Sequence, residues 1–113
     1  MMHRAALVLF LLAAGAQTAS AAQQAGLTPQ QMHGRHLLTQ NCNICHLPQN
    51  PGSKTYGPLL NRASANGDIA LMREVIQNGL VKMPGWKYTL SNSDIDDVIA
   101  YVRTLPEPAA APR

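Results

Sequence analysis

Residues 42–46 read Cys42-Asn43-Ile44-Cys45-His46, which places two cysteines three positions apart and a histidine directly after the second. On one helical turn, two thiols at this spacing reach the two vinyl groups at one edge of a haem, and the next imidazole points at the iron. Chance would give this arrangement in roughly six of ten thousand chains with the same composition. The stretch predicts one covalently attached haem c, with thioethers at Cys42 and Cys45 and iron ligation by His46.

Three other uses of the cysteine pair fit the sequence less well. A thioredoxin-like redox pair belongs in a βαβ unit, and no strand pattern is present. A structural zinc site needs four ligands; His33 and His36 have ligand spacing, but no second cysteine pair completes the set. A disulfide between Cys42 and Cys45 would close a very small loop and stabilise little.

The start of the chain has the pattern of an export signal. Arg4 supplies a positive charge, Ala5–Ala16 an apolar stretch and Ala19-Ser20-Ala21 a cleavage site. The apolar run is shorter than the roughly 17–25 residues of a membrane span. We therefore predict a signal peptide over residues 1–21 and a periplasmic mature protein. An N-terminal anchor that is not cleaved is the alternative.

The 113-residue length fits a single domain. We assign residues 22–27 to a short extension, 28–106 to the domain and 107–113 to a flexible tail rich in Pro and Ala. Nine Lys and Arg against six Asp and Glu, with no basic block, argue against nucleic-acid binding. Only five aromatic residues are present, which indicates that something other than aromatic side chains fills the core.

The mature chain shows three helical segments, and we predict an all-α fold. Capping signals start helices at Thr28, Asp68 and Ser91. The first runs to about Asn41, the second ends at Gly79, and the third ends before Pro106 with Leu105 on its apolar face. The Pro- and Gly-rich stretch Pro48–Asn66 is too long for an ordinary connection, which indicates a functional or wrapping loop.

A second iron ligand decides what such a haem does, because a free position allows gas or peroxide chemistry whereas methionine gives an electron carrier. The candidates are Met32, Met72, Met83, His33 and His36. Met83 is favoured, since it lies in a loop 37 residues after His46 and a proline fixes the backbone beside it. Met72 fits core packing, Met32 points away on the first helix, and both histidines are expected to face solvent.

The chain resembles the class I c-type cytochromes over Gly34 to Leu105. The matching motifs are GRHLLTQNCNICH (34–46), YGPLL (56–60), VIQNGLVKMPGW (75–86) and DIDDVIAYVRTL (94–105). The resemblance implies a cytochrome c fold, in which three main helices and loops wrap one covalent haem. The haem would then be the missing filler of the core, with the Pro48–Asn66 loop around its edge.

The resemblance also implies particular contacts. The first and last helices would cross, with Gly34 allowing close approach near Tyr101. The carbonyl of Pro58 would accept the Nδ1 proton of His46, which orients the imidazole. Leu38 stands where the family usually has an aromatic residue, which predicts a looser helix crossing.

Further side chains receive weaker assignments. Four residues could reach the haem propionates, or be ordinary rim residues: Trp86, Tyr88, Tyr56 and Arg62. Three lysines could surround the haem edge and attract an acidic partner, or be plain solvated surface: Lys54, Lys82 and Lys87.

These observations predict a periplasmic one-electron carrier with a single His/Met-ligated haem c, and not an enzyme. Its partners would be a periplasmic dehydrogenase as donor and a terminal oxidase or reductase as acceptor. One alternative is a tightly bound cytochrome subunit of a sulfite or alcohol dehydrogenase. A second alternative is an open-site haem protein that binds ligands in place of Met83.

Overall fold

A computed structural model describes residues 26–108. Its helices are α1 (Pro29–Asn41), α2 (Asn43–His46), α3 (Ile69–Asn78) and α4 (Asn92–Val102), with a 3₁₀ turn at Ser64–Gly67. Over this range there is no strand, only an isolated bridge between Leu80 and Met83. The predicted all-α fold is thereby confirmed. The predicted signal peptide and residues 109–113 of the predicted tail lie outside the described residues.

Each main helix begins at the side-chain cap that the sequence predicts. The Thr28 hydroxyl accepts from the amide of Gln31, and the Gln31 side chain accepts from the amide of Thr28. Asp68 accepts from two amides of the turn that follows it, and Ser91 forms a second reciprocal cap with Asp94. Because these caps satisfy amides that have no partner in the first turn, local sequence fixes where the helices start.

The apolar core lies mainly where α1 crosses α4. The two helices cross closely at Gly34, since a Cβ there would overlap the carbonyl of Asp97. Asp97 lies one helical turn before Tyr101. Leu38 is 2% exposed and belongs to this core; the looser crossing expected from its aliphatic side chain stays a prediction. The other buried apolar residues are Met72, Leu90, Ile95, Val98, Ile99 and Val102.

The helix α3 packs beside α4 and is held there by charge as well as by apolar contact. Arg73 donates from Nε to Oδ1 of Asp96 on α4 at 3.0 Å.

No helix within residues 26–108 is long and apolar enough to cross a bilayer.

The last helix ends earlier than predicted, at Val102. The chain then turns, with the amide of Leu105 donating to the carbonyl of Val102. A residue before proline is disfavoured in the helical region, so Pro106 removes Leu105 from the helix. The Leu105 carbonyl accepts from the Arg62 amide at 3.0 Å instead.

Two loops connect the helices and carry the candidate site. The first loop (residues 47–63) returns to α2, where the Gly57 amide donates to the Cys45 carbonyl at 2.8 Å. The second loop (residues 79–91) folds back on α3, where the Trp86 amide donates to the Ile76 carbonyl at 2.9 Å. These bonds attach the segment that carries Pro58 to the end of α2, and the segment that carries Met83 to the end of α3.

Candidate functional site

The two cysteines and the histidine lie on one turn at the junction of α1 and α2. The amides of Cys45 and His46 both donate to the Cys42 carbonyl, at 3.2 and 3.0 Å. Cys42 and Cys45 are not joined by a disulfide. Burial, and secondarily the neighbouring Cys45, raises the pKa of Cys42 to about 11. Since the thiolate is the form that exchanges disulfides, the raised pKa makes Cys42 poorly suited to the thioredoxin-like alternative.

The His46 imidazole is buried and held in one orientation. It is 8% exposed, and its Nδ1 lies 2.7 Å from the carbonyl oxygen of Pro58. A carbonyl can only accept, so Nδ1 carries a proton, and in the neutral imidazole Nε2 is then the unprotonated nitrogen. An imidazole whose Nδ1 is held in this way is suited to binding a metal through Nε2.

Gly57 also shapes the surroundings of His46, a role that the sequence did not predict. A Cβ at residue 57 would lie 2.9 Å from His46 Cε1 and 3.1 Å from Nδ1. The backbone therefore lies flat against the ring. The available signal was the Gly-Pro dipeptide at residues 57–58, which indicates a turn but not what the turn contacts.

Met83 lies half-buried on a tight turn within the second loop. Its amide donates to the Leu80 carbonyl at 2.8 Å, and its carbonyl accepts from the Leu80 amide at 3.1 Å. Gly79, with φ of 79°, lies so close that a Cβ there would overlap the Met83 carbonyl oxygen, and a Cβ at Gly85 would lie 2.7 Å from Gln77 O. Two glycines thus let the Met83 turn pack directly on the end of α3.

The two predicted tyrosines lie at the surface beside lysines. Tyr56 is 68% exposed and Tyr88 is 92% exposed. The Nζ of Lys82 lies 5.9 Å from the centre of the Tyr56 ring, and the Nζ of Lys87 lies 5.2 Å from that of Tyr88. Neither tyrosine hydrogen-bonds to His46 within the described part of the chain.

The remaining predicted rim residues make different contacts. Trp86 is partly buried and packs against the apolar core. Arg62 donates from Nε to Glu107 at 3.2 Å, in an exposed ion pair. Glu107 lies in the segment that the sequence assigns to the tail. The propionate roles of Trp86, Tyr88, Tyr56 and Arg62 stay predictions.

One polar contact lies outside the site, at the crossing of α1 and α4. His33 is exposed, as predicted, and its Nδ1 lies 2.8 Å from Oδ2 of Asp97 across the helix crossing. The pair joins residues 64 positions apart and about half of the imidazole stays exposed. An exposed pair of this kind leaves no periodic signal in the sequence. His36 and Met32 are exposed on α1.

The chemistry of the region fits an apolar cofactor rather than a bare metal ion. Among residues 26–108 no group of three or more His, Cys, Asp or Glu is arranged to hold a metal. Exposed apolar side chains instead adjoin the cysteine turn, Pro58 and Met83; they are Ile44, Tyr56, Leu59, Leu80 and Val81. A flat apolar group held by two thiols and an imidazole is what Cys42, Cys45 and His46 suit.

Comparison with known proteins agrees with this chemistry. A family model described as "Cytochrome C oxidase, cbb3-type, subunit III" matches residues 29–102. The chain belongs to the class I c-type cytochromes. As a member of that family it is a haem c electron carrier, and the haem is covalently bound and contains iron. The cofactor predicted from Cys42–His46 is confirmed.

Three relatives illustrate the family. Cytochrome c6 of Synechocystis is 37% identical over 73 residues, which cover 62% of this chain and 61% of that protein, less than two-thirds of its length. Cytochrome c55X of Paracoccus denitrificans is 34% identical over 105 residues, 89% of this chain and 94% of that protein. The cytochrome c subunit of 4-cresol dehydrogenase (hydroxylating) from Pseudomonas putida is 29% identical over 93 residues, 81% and 77% of the two chains.

Proposed function

We propose that this cytochrome carries single electrons in the periplasm, with the haem iron ligated by His46 and Met83. The observation that carries the proposal is the anchored His46 imidazole, whose Nδ1 donates to Pro58 at 2.7 Å directly after the second cysteine. That contact leaves Nε2 free for iron and makes it more basic. The haem supplies the one-electron couple; the chain supplies ligands, burial and orientation.

Met83 is the proposed sixth ligand for reasons of position and chemistry. Among the mature methionines Met72 is 5% exposed in the core and Met32 lies on the exposed side of α1. Met83 lies outside the helices, on a turn in which its backbone amide and carbonyl are both hydrogen-bonded to Leu80. A thioether ligand raises the reduction potential and closes the iron to small ligands.

The proposed partners follow from the carrier role. A periplasmic dehydrogenase would reduce the cytochrome, and a terminal oxidase or reductase would oxidise it. Lys54, Lys82 and Lys87 are exposed and would favour acidic partners. Export by the segment 1–21 predicts that the mature protein starts after Ala21, which N-terminal mass spectrometry of periplasmic protein would test.

The ligand proposal is tested by spectra of the purified holoprotein when oxidised, reduced, and reduced with CO. We expect the methionine–iron charge-transfer band in the oxidised protein and no shift with CO in the reduced one. Met83→Ala should abolish the band, admit CO and lower the potential by a measurable share of the roughly 0.8 V that axial ligation spans.

The matched control is Met72→Leu, which replaces a core methionine with a side chain of similar volume. It should keep the band, the potential and the exclusion of CO. Rapid CO binding by the unaltered protein would favour the open-site alternative. An unchanged potential in Met83→Ala would exclude Met83 as a ligand.

A second candidate function is service as a bound subunit of a periplasmic dehydrogenase. It is favoured by the similarity to a dehydrogenase cytochrome subunit and by the exposed apolar side chains of Leu80, Val81 and Tyr88. A subunit would co-purify with a large catalytic chain from the native periplasm at high dilution. A carrier would elute alone at the size of one chain.

A further inference from the structure

One contact joins the two loops that carry the candidate ligand segments. The ammonium of Lys82 in the second loop lies 5.9 Å from the centre of the Tyr56 ring in the first loop. Among the hydrogen bonds, ion pairs and cation–π contacts of residues 26–108, no other links these two loops. The contact therefore links directly two loops whose other shared support is the apolar core, against which Leu60 of the first loop and Trp86 of the second both pack.

The position of each partner gives this contact its significance. Tyr56 stands two residues before Pro58, whose carbonyl accepts from His46. Lys82 directly precedes Met83, and the amide and carbonyl of Met83 are both engaged with Leu80. The bonds to Leu80 fix the shape of the Met83 turn, but they do not fix its distance from the first loop.

We propose that Lys82 and Tyr56 form a strap that holds the second loop against the first and so positions Met83 at the iron. This inference rests on the proposed role of Met83 as a ligand. Lys82 and Tyr56 are positioning residues: they act on the loop and not on the iron.

The expected size of the effect follows from the setting of the contact. Tyr56 is 68% exposed and Lys82 is exposed, so water screens the interaction. At exposed sites a cation over an aromatic ring shifts an equilibrium by about two- to fivefold. Removing the strap should therefore increase the population with Met83 released by that factor, while the fold stays intact.

The chain contains a matched control. Arg103, directly after α4, is exposed, and its side chain makes no hydrogen bond, ion pair or cation–π contact within residues 26–108. Arg103→Ala removes one positive charge, as Lys82→Ala does, without breaking a link between loops. The effect of net charge is thereby separated from the effect of joining the loops.

The experiment titrates the oxidised holoprotein with imidazole, which binds iron when Met83 is released, and measures amide hydrogen exchange at Lys82 and Met83. We expect Lys82→Ala and Tyr56→Leu each to raise the apparent imidazole affinity two- to fivefold, with no further rise in the double variant. Lys82→Arg and Tyr56→Phe keep the cation and the ring face, so they should match the unaltered protein, as should Arg103→Ala.

Each result has a defined meaning. Additive effects in the double variant, or equal effects of Lys82→Ala and Arg103→Ala, would overturn the strap. If Met83 proves not to ligate iron, the ligand proposal fails on its own spectra. Amide exchange then still tests the strap, because faster exchange at Lys82 and Met83 in the two strap variants alone would support a link between the loops, and unchanged exchange would refute it.

Discussion

The Cα of Gly34 on α1 lies directly against the backbone carbonyl of Asp97 on α4, and a Cβ at residue 34 would overlap that carbonyl and lie 2.9 Å from Val98 N. Backbone cannot move aside as a flexible side chain can, so Gly34→Ala must force the helices apart. We expect a loss of about 1–3 kcal/mol in the free energy of unfolding, as in other overpacked interiors. Urea denaturation followed by circular dichroism would measure it.

The control for this substitution is Gly26→Ala. Gly26 has no atom within 4 Å of a Cβ position, so its replacement should leave the urea midpoint unchanged. Equal midpoints for the two variants would show that the α1–α4 crossing tolerates a methyl group and is looser than described.

The sequence predicted the helices well where local chemistry decides them. The caps at Thr28, Asp68 and Ser91 depend on residues within one turn, and all three helices start there. The end of α4 was misjudged because apolar periodicity continues to Leu105, whereas the backbone restriction imposed by Pro106 acts on the residue before it.

The site was predictable to the extent that its residues are close in sequence. The turn from Cys42 to His46 is encoded locally and is found as one turn. The contacts of Gly57 with His46 and of Lys82 with Tyr56 depend on how loops return in space. Neither leaves a periodic pattern, so the sequence offered candidates there but not their partners.

The cap of α4 makes stability depend on pH. Hydrogen bonds from the hydroxyl and the amide of Ser91, with a smaller contribution from the charge of His33, lower the pKa of Asp94 from its ordinary value of 3.8. A lowered carboxyl pKa contributes stability above the ordinary pKa, and that stability is lost as pH falls through the folded-state value. Ser91→Ala should therefore cost more stability at pH 7 than at pH 3.

The equivalent cap of α1 is the control, because its Thr28 and Gln31 side chains do not titrate. Thr28→Ala should cost about 1 kcal/mol at both pH values. The measurement is the urea midpoint of both variants and the unaltered protein at pH 7, 5 and 3. A cost of Ser91→Ala that does not change with pH would contradict the assignment to Asp94.

Gly57 is expected to control the orientation of His46. In Gly57→Ala the new methyl group would lie 2.9 Å from His46 Cε1, so either the ring or the loop must shift and the bond from Nδ1 to Pro58 lengthens. A weaker bond makes the imidazole a poorer donor to iron, which should raise the reduction potential. Redox titration of the holoprotein would measure the change.

Lys54→Ala, in the same loop and exposed, serves as the comparison for Gly57→Ala. It should leave the potential within a few millivolts of the unaltered protein once screened by salt. If Gly57→Ala also leaves the potential unchanged, the glycine has no influence on the imidazole and its contact is incidental.

Val81 adopts a backbone conformation that a β-branched residue avoids. Its φ is 50°, in the left-handed region that costs ordinary residues roughly 1–2 kcal/mol, and its side chain is 97% exposed, so packing does not offset the strain. Val81→Asn should raise the free energy of unfolding by up to about 1 kcal/mol, since asparagine tolerates this region.

The reciprocal change at residue 66 tests the same cause. Asn66 has φ of 57°, so Asn66→Val should lower the free energy of unfolding by a similar amount. Thermal unfolding of both variants would measure the shifts. If both changes move the melting temperature in the same direction, backbone strain at residues 66 and 81 does not account for the shifts.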